Sequence, residues 1–163
     1  MLNLFSKKTY PDNVLIAPCE GTPYPIEDVN DSVFSEKMMG DGIAIRLPAK
    51  KMTISAIANG TLTALFPTGH AFGIALNNGI EVLVHIGINT VEANGVGFKV
   101  LKKENDNVKA GDPIVEVDVP ALNENYDTSL IIVITETSEK NVAWESLDGS
   151  SIEAKTIIAK ISD

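Results

Sequence analysis

Two histidines, His70 and His85, are the only imidazoles in this 163-residue chain, and their chemistry is the most distinctive that the sequence offers. A neutral imidazole is a good nucleophile towards phosphorus near neutral pH, because its ordinary pKa is about 6.5. A second imidazole could donate a hydrogen bond to the phosphoryl oxygens and offset their charge in the transition state. Spacing alone leaves this chemistry and a pair of ordinary core or surface histidines both open.

The elements around the histidines would place them close together. His85 lies in a predicted strand, residues 81–87, and strand alternation puts it on the same face as Leu83. His70 opens a second predicted strand, and the turn Asn77-Asn78-Gly79 folds that strand back against the first. The pairing predicts both rings at the same end of one hairpin, with an offset that leaves their contact undecided.

Short β-type segments separated by turn residues dominate the rest of the chain. Asn59-Gly60, between two such segments, predicts a two-residue type I′ hairpin, because both positions of that turn need positive φ. Helical signals are brief. The strand-like segments are 14–17, 42–45, 52–58, 61–66, 71–76, 81–86, 113–119, 130–135 and 156–161, and the helical ones are 31–39, 90–94 and 120–126. This pattern predicts an all-β fold, an antiparallel sandwich or barrel with few short helices.

Composition narrows the function classes. The chain carries 22 acidic against 13 basic residues, a formal charge of -9, which disfavours nucleic acid and favours a partner with a basic face. Cys19 is the only cysteine, so no internal disulfide can form. The longest strongly apolar run, Leu130 to Ile134, is far shorter than the roughly 20 residues that span a bilayer, so we expect no stable membrane insertion. We expect a flexible segment at 1–12 and one domain at 13–163.

Several motifs, taken in order, resemble the glucose-type IIA proteins of the bacterial phosphotransferase system. They are Ile16-Ala17-Pro18, the segments 26–29, 33–45, 68–72, 84–91 and 95–98, and Val108-Lys109-Ala110-Gly111-Asp112. The resemblance spans most of residues 13–136. It implies a cytoplasmic phosphocarrier that supports coupled sugar uptake and phosphorylation. It also implies a sandwich with Greek-key and jelly-roll connections, a duplicated hybrid motif.

The resemblance assigns roles to four residues, the two histidines and two of their neighbours. His85 would accept the phosphoryl group through Nε2 from the histidine phosphocarrier HPr and pass it to a cysteine of a sugar-specific IIB domain. His70 would steady the phosphoryl group and be needed for onward transfer. Thr68 matches the threonine that hydrogen-bonds within that pair, and Gly87 the glycine whose carbonyl orients the Nδ1 proton of His85.

The resemblance also implies a docking surface for both partners. An exposed apolar patch around the histidines would comprise Phe34, Met38, Met39, Phe66 and Ile86. Asp31 and Asp41 would attract the basic face of HPr, whereas Asn89 departs from the aspartate that many relatives carry. Other departures are the segment 55–60, Ile131, Glu136 and the loosely matching tail 138–163.

Three other functions are open to the same sequence. Zinc peptidases of similar topology use His-x-x-x-Asp and His-x-His, but Ile74 and Gly87 stand where those ligands would be. No resident metal or cofactor is therefore expected, although His70 and His85 could share a zinc ion with a partner's carboxylate. Lys51, with a methionine on one side only, weakly resembles a biotinyl or lipoyl lysine. A regulatory protein-binding module could use the same fold.

Overall fold

The computed structural model describes residues 8–145 and 147–163, and within them short antiparallel strands predominate. Two short helices, α1 (Ser32–Ser35) and α2 (Val119–Asn123), and 3₁₀ turns at Ile26–Asp28 and Thr90–Ala93 are all brief, as the sequence predicts. The strands are β1 (Val14–Ile16), β2 (Thr22–Pro25), β3 (Gly42–Arg46), β4 (Lys51–Ser55), β5 (Gly60–Leu65), β6 (Ala71–Leu76), β7 (Glu81–Ile86), β8 (Phe98–Val100), β9 (Asn107–Val108), β10 (Pro113–Asp118), β11 (Leu130–Glu136), β12 (Asn141–Trp144) and β13 (Ile157–Ser162).

The strands form one large and two small sheets. The large sheet has the order β2-β3-β11-β7-β6-β5-β9, and the small sheets have the orders β1-β13-β12 and β4-β10-β8. Strands far apart in sequence are neighbours, since β11 pairs with both β3 and β7. The all-β antiparallel sandwich predicted from the sequence is therefore confirmed.

Two apolar layers lie on opposite faces of the large sheet. The main core joins all three sheets, with fully buried residues such as Leu15, Ile54 and Phe72. A smaller cluster covers the other face beneath α1 and contains Phe34 and Ile131. Alternation along the strands sends one set of side chains to each layer. The smaller layer is the one that His85 faces, because Leu83 packs there and shares its side of β7.

The hairpin of β6 and β7 is confirmed, whereas the Asn59-Gly60 hairpin is wrong. Strand β4 pairs with β10 and β5 pairs with β6, so nothing folds back at Asn59. Gly60 pairs with Leu76 in the sheet. It is not among the residues with positive φ, which a type I′ turn requires. The Asn59 amide makes tertiary contacts instead, donating to the Tyr10 carbonyl at 2.8 Å and accepting from the Ala110 amide at 2.8 Å.

The predicted flexible segment, residues 1–12, lies partly outside the described residues, which begin at Lys8. Within the described part, Tyr10 is buried and packs with Val14 and Ile16. Its carbonyl accepts the Asn59 hydrogen bond, so this part of the segment lies against the sandwich. The limits of the single domain, 13–163, stay a prediction.

Candidate functional site

The two histidines meet at one end of the β6–β7 hairpin. Ala71 pairs with His85, so His70 stands one position beyond the strand, and its carbonyl accepts the Ile86 amide at 2.7 Å. The imidazole centroids are 5.3 Å apart, with the planes at 78°. The backbone positions of the two residues are offset, but their side chains bridge the offset and the imidazoles lie edge to face.

His85 has one ring nitrogen fixed by the backbone. Its Nδ1 lies 2.7 Å from the Gly87 carbonyl oxygen, which can only accept, so Nδ1 carries the proton. In the neutral ring, Nε2 then holds the lone pair. Gly87 adopts φ 84°, a left-handed conformation that favours glycine and lets its carbonyl turn back to the ring. The sequence expectation for Gly87 agrees with this geometry.

The loop after β7 is fastened from two sides. The Gly87 amide donates to the Ser129 carbonyl at 2.9 Å, and the Ile88 amide donates to the Asp127 carbonyl at 2.8 Å. On the other side, the buried hydroxyl of Thr90 donates to the Ile86 carbonyl at 2.5 Å. The orientation of the Gly87 carbonyl therefore depends on contacts that lie outside the histidine pair.

His70 has its Nδ1 held by a side chain instead. The Thr68 hydroxyl lies 2.6 Å from Nδ1, and the His70 ring is buried, with 3% of its surface exposed. A hydroxyl can donate or accept, so this contact permits either tautomer of the ring. When Thr68 donates, Nε2 carries the proton and can donate a hydrogen bond to a phosphoryl oxygen.

Burial keeps both imidazoles neutral over a wider pH range than in water. Desolvation lowers the pKa of His70, and the neighbouring charge of protonated His85 lowers it further. Desolvation also lowers the pKa of His85, while the Gly87 carbonyl and the Asp31 carboxylate oppose that change. At neutral pH the unprotonated, nucleophilic form of each ring therefore prevails.

Two phenylalanines flank the imidazoles, one on each ring. Phe34 lies 5.2 Å from the His85 centroid and is buried, and Phe66 lies 5.0 Å from the His70 centroid with 43% of its surface exposed. Both contacts have tilted or edge-on geometry, typical of favourable aromatic pairs. Phe34 thus supports His85 from below, while Phe66 forms part of the surface.

The apolar patch differs from the prediction at two positions. Met38, Met39 and Phe66 are exposed as expected. Ile86 is wrong as a surface residue, because strand alternation turns it into the main core, and Phe34 is almost wholly covered by its own cluster.

Three exposed valines were missed by the sequence reasoning. Val33 lies on α1, and Val91 and Val96 lie in the loop that follows the histidine strand, with 52% and 72% of their surfaces exposed. The signal was an apolar residue between two glycines, Gly95-Val96-Gly97, where no regular element could bury it. With Met38, Met39 and Phe66, these are the exposed apolar residues on and after α1 and in the loops next to β6 and β7, and we call them the apolar rim.

The acidic residues have unequal surroundings. Asp31 caps α1, accepting the Val33 amide at 2.9 Å, and its charge acts on His85. Asp41 lies 3.3 Å from the Lys37 ammonium, which also contacts Glu27 at 2.8 Å, so its charge is partly offset. Asn89 is exposed at the start of the 3₁₀ turn, with φ 60°.

Among residues 8–145 and 147–163, no group of three or more His, Cys, Asp or Glu is placed to hold a metal ion. The two imidazole Nε2 atoms would supply only part of the four ligands that zinc prefers. Cys19 is buried, which raises the pKa of its thiol to about 12, so it is a poor nucleophile or ligand.

Comparisons with known proteins agree on one family. The family described as phosphoenolpyruvate-dependent sugar phosphotransferase system, EIIA 1, matches residues 13–140. The glucose-specific EIIA component of Buchnera aphidicola is 42% identical over 147 residues, which cover 90% of this chain and 86% of that protein. Glucose permease IIA from Mycoplasma capricolum matches with a TM-score of 0.80 and 34% identity, covering 90% of this chain and 93% of that one.

Longer relatives contain the same region as one part. The glucose-specific EIICBA component of Staphylococcus carnosus is 44% identical over 123 residues, 75% of this chain. The chain spans 18% of the length of that protein and of the glucoside-specific EIICBA component of the same organism. Within the described part of this chain, no helix has the length and apolar character needed to cross a bilayer.

Proposed function

This chain belongs to the EIIA 1 family of the phosphoenolpyruvate-dependent sugar phosphotransferase system, and from that premise we propose that His85 carries the phosphoryl group between two protein partners. The donor is phospho-HPr and the acceptor is a cysteine of a IIB domain, in the cytoplasm. The observation that supports this most is the hydrogen bond from His85 Nδ1 to the Gly87 carbonyl, which leaves the Nε2 lone pair as the nucleophile.

Phosphoryl acceptance needs no proton transfer at His85. The Nε2 lone pair forms the bond to phosphorus while the phosphorus–nitrogen bond of the donor's phosphohistidine breaks, and that electron pair returns to the donor's ring. The proton on Nδ1 stays in place, and the ring becomes positively charged. Its hydrogen bond to the Gly87 carbonyl is then charge-assisted and stronger.

His70 serves as the partner that offsets the phosphoryl charge. Its ring lies edge to face with His85, and its Nδ1 is occupied by Thr68, so Nε2 is the nitrogen that can reach a phosphoryl oxygen. In onward transfer, a cysteine thiolate forms the new bond to phosphorus, and the electron pair of the breaking phosphorus–nitrogen bond returns to His85. Hydrogen bonding from His70 stabilises the charge that spreads over the oxygens.

The apolar rim and the acidic residues form the surface on which both partners dock. Exposed apolar side chains in the segments next to a half-buried nucleophile are typical of a protein–protein contact. The negative charge of the chain, with Asp31 beside His85, favours a basic partner such as HPr. Because several relatives are named glucose-specific, we propose a glucose-type permease as the source of the IIB domain.

Two further roles are compatible with this surface. The apolar rim could also bind regulatory target proteins when His85 is unphosphorylated. A partner's carboxylate could complete a zinc site with His70 and His85 at such an interface, although the chain has no resident metal or cofactor in this proposal.

The proposed function is tested by incubating the chain with enzyme I, HPr and phosphoenolpyruvate. We expect acid-labile phosphate on the wild-type chain and none on His85→Ala, with both proteins folded as judged by circular dichroism. The phosphorylated chain should then label a glucose-type IIB domain in preference to a mannitol-type one. Label retained by His85→Ala would contradict the assignment of the nucleophile.

A further inference from the structure

We propose that Thr90 is a positioning residue for phosphoryl transfer, because its buried hydroxyl fixes the loop whose carbonyl holds the His85 proton at Nδ1. The inference rests on the proposed function of His85. Thr90 touches neither the phosphoryl group nor the reacting nitrogen. It acts on the backbone through the carbonyl of Ile86, which belongs to the peptide that enters Gly87, and its methyl group lies beside Gly87.

The Gly87 carbonyl is oriented by the plane of its own peptide. In a trans peptide the C=O of Gly87 and the N–H of Ile88 point in opposite directions. The Ile88 N–H donates to the Asp127 carbonyl at 2.8 Å, so the Gly87 oxygen is directed the other way, towards His85. A rotation of this plane would break both hydrogen bonds at once.

Thr90 fixes the neighbouring peptide and fills the space beside the glycine. Its hydroxyl donates to the Ile86 carbonyl at 2.5 Å, which anchors the peptide that enters Gly87. Its methyl group occupies the volume that a side chain at position 87 would need, 2.4 Å from an ideal Cβ. Thr90 is wholly buried, so water cannot replace the hydroxyl.

Through these contacts, the Thr90 hydroxyl affects which nitrogen of His85 carries the proton. Without the hydroxyl, the entering peptide keeps only the hydrogen bond from the Gly87 amide to the Ser129 carbonyl and can tilt about it. The Gly87 oxygen then moves off the Nδ1 axis and selects the Nδ1-protonated ring less strongly. The competing tautomer carries its proton on Nε2, where the lone pair is required. Misplacing a reacting group by about 1 Å can slow a reaction about 100-fold.

The test compares Thr90→Val, which keeps the shape but removes the hydroxyl, with Thr90→Ser, which keeps the hydroxyl. Long-range ¹H–¹⁵N spectra report the His85 tautomer, and phosphoryl uptake from phospho-HPr reports the rate. We expect Thr90→Val to show a measurable Nε2-protonated fraction and uptake slowed roughly tenfold or more. Thr90→Ser should keep the wild-type tautomer and uptake within about threefold.

The matched control is Thr156→Val. The Thr156 hydroxyl also donates to a backbone carbonyl, that of Glu153 at 2.7 Å, in a turn of a different sheet. This variant loses a hydroxyl-to-carbonyl hydrogen bond in an exposed turn, so it controls for the Thr-to-Val change itself, and it should leave the tautomer and the uptake rate unchanged.

The outcomes distinguish a failure of the Thr90 proposal from a failure of the proposed function. An unchanged tautomer and rate in folded Thr90→Val would overturn the role of Thr90. If Thr90→Val does not fold, Thr90→Ala replaces it, and failure of both hydroxyl-free variants to fold would mean that the hydroxyl serves stability alone. If the wild-type chain takes up no phosphate, the proposed function fails, whereas the tautomer comparison still decides the positioning role.

Discussion

The two imidazoles of the site are held in different ways. His85 Nδ1 bonds to a backbone carbonyl, which can only accept, whereas His70 Nδ1 bonds to a threonine hydroxyl, which can donate or accept. The aromatic neighbours differ in the same sense, since Phe34 beneath His85 is buried and Phe66 beside His70 is 43% exposed. One ring has a fixed tautomer on a buried support, and the other has a hydrogen-bond partner that permits either tautomer and an exposed aromatic neighbour.

This difference teaches which ring is suited to which task. A nucleophile must present a lone pair on one particular nitrogen, so a fixed proton on the other nitrogen is an advantage. A charge-stabilising partner must follow the phosphoryl group as it arrives and leaves, so an adaptable hydrogen bond is sufficient. The geometry therefore separates the two histidines by function although their sequence contexts are both strand-like.

The largest effect should come from replacing the adaptable ring. In His70→Gln, phosphate uptake on His85 should persist, because the nucleophile and its support remain intact. Onward transfer to a IIB domain should fall by about 10²-fold or more, the usual cost of a lost transition-state hydrogen bond, because glutamine lacks the ring Nδ1 through which Thr68 orients the donor. Transfer at the wild-type rate from pre-phosphorylated chain would remove His70 from the mechanism.

The second effect should come from the rigid support, in Gly87→Ala. A methyl group there would lie 2.4 Å from the Thr90 side chain and force the loop and its carbonyl to move. Added to about 1–2 kcal/mol for the left-handed backbone, overpacking should cost roughly a further 1–3 kcal/mol. Thermal unfolding and phosphate uptake measure the two consequences.

Gly149→Ala is the control for that variant. Gly149 has nearly the same φ, 88°, but an added methyl group meets no atom within 4 Å. Its free energy of unfolding should fall only by the cost of a left-handed alanine, about 1–2 kcal/mol, and its uptake rate should equal that of the wild type. Equal stability and uptake in the two variants would contradict a special role for the Gly87 loop.

The smallest effect should be electrostatic and confined to one ring. Asp31→Asn keeps the cap of α1, because asparagine also accepts the Val33 amide, but removes the charge that raises the pKa of His85. The pKa of His85 should therefore fall further below its ordinary value, while that of His70, on which Asp31 does not act, should not fall with it. An NMR titration of both imidazoles measures this, and a shared shift of both rings, or none, would contradict the separation.

The sequence was sufficient to predict the histidine hairpin because its determinants are local. Alternation places His85 and Leu83 on one face, and the turn at 77–79 fixes the pairing of β6 with β7. Family resemblance added the roles of Thr68 and Gly87, with which the hydrogen bonds of both residues are consistent.

The failures arose where distant segments decide the structure. Asn59-Gly60 has the composition of a tight turn, but β4 is taken by β10 and the Asn59 amide reaches Tyr10 and Ala110, more than 40 residues away. Such long-range contacts cannot be read from a local pattern. Ile86 follows His85 in β7, so alternation turns it to the opposite face and into the core, where the family resemblance implies a surface residue.

The most direct test of the account is to phosphorylate ¹⁵N-histidine-labelled chain with enzyme I, HPr and phosphoenolpyruvate and to identify the modified nitrogen by NMR. We predict phosphate on Nε2 of His85, a proton retained on Nδ1 of the same ring, and an unmodified His70. Phosphate on His70, or on Nδ1 of His85, would contradict the claim that the Gly87 carbonyl selects the nucleophile.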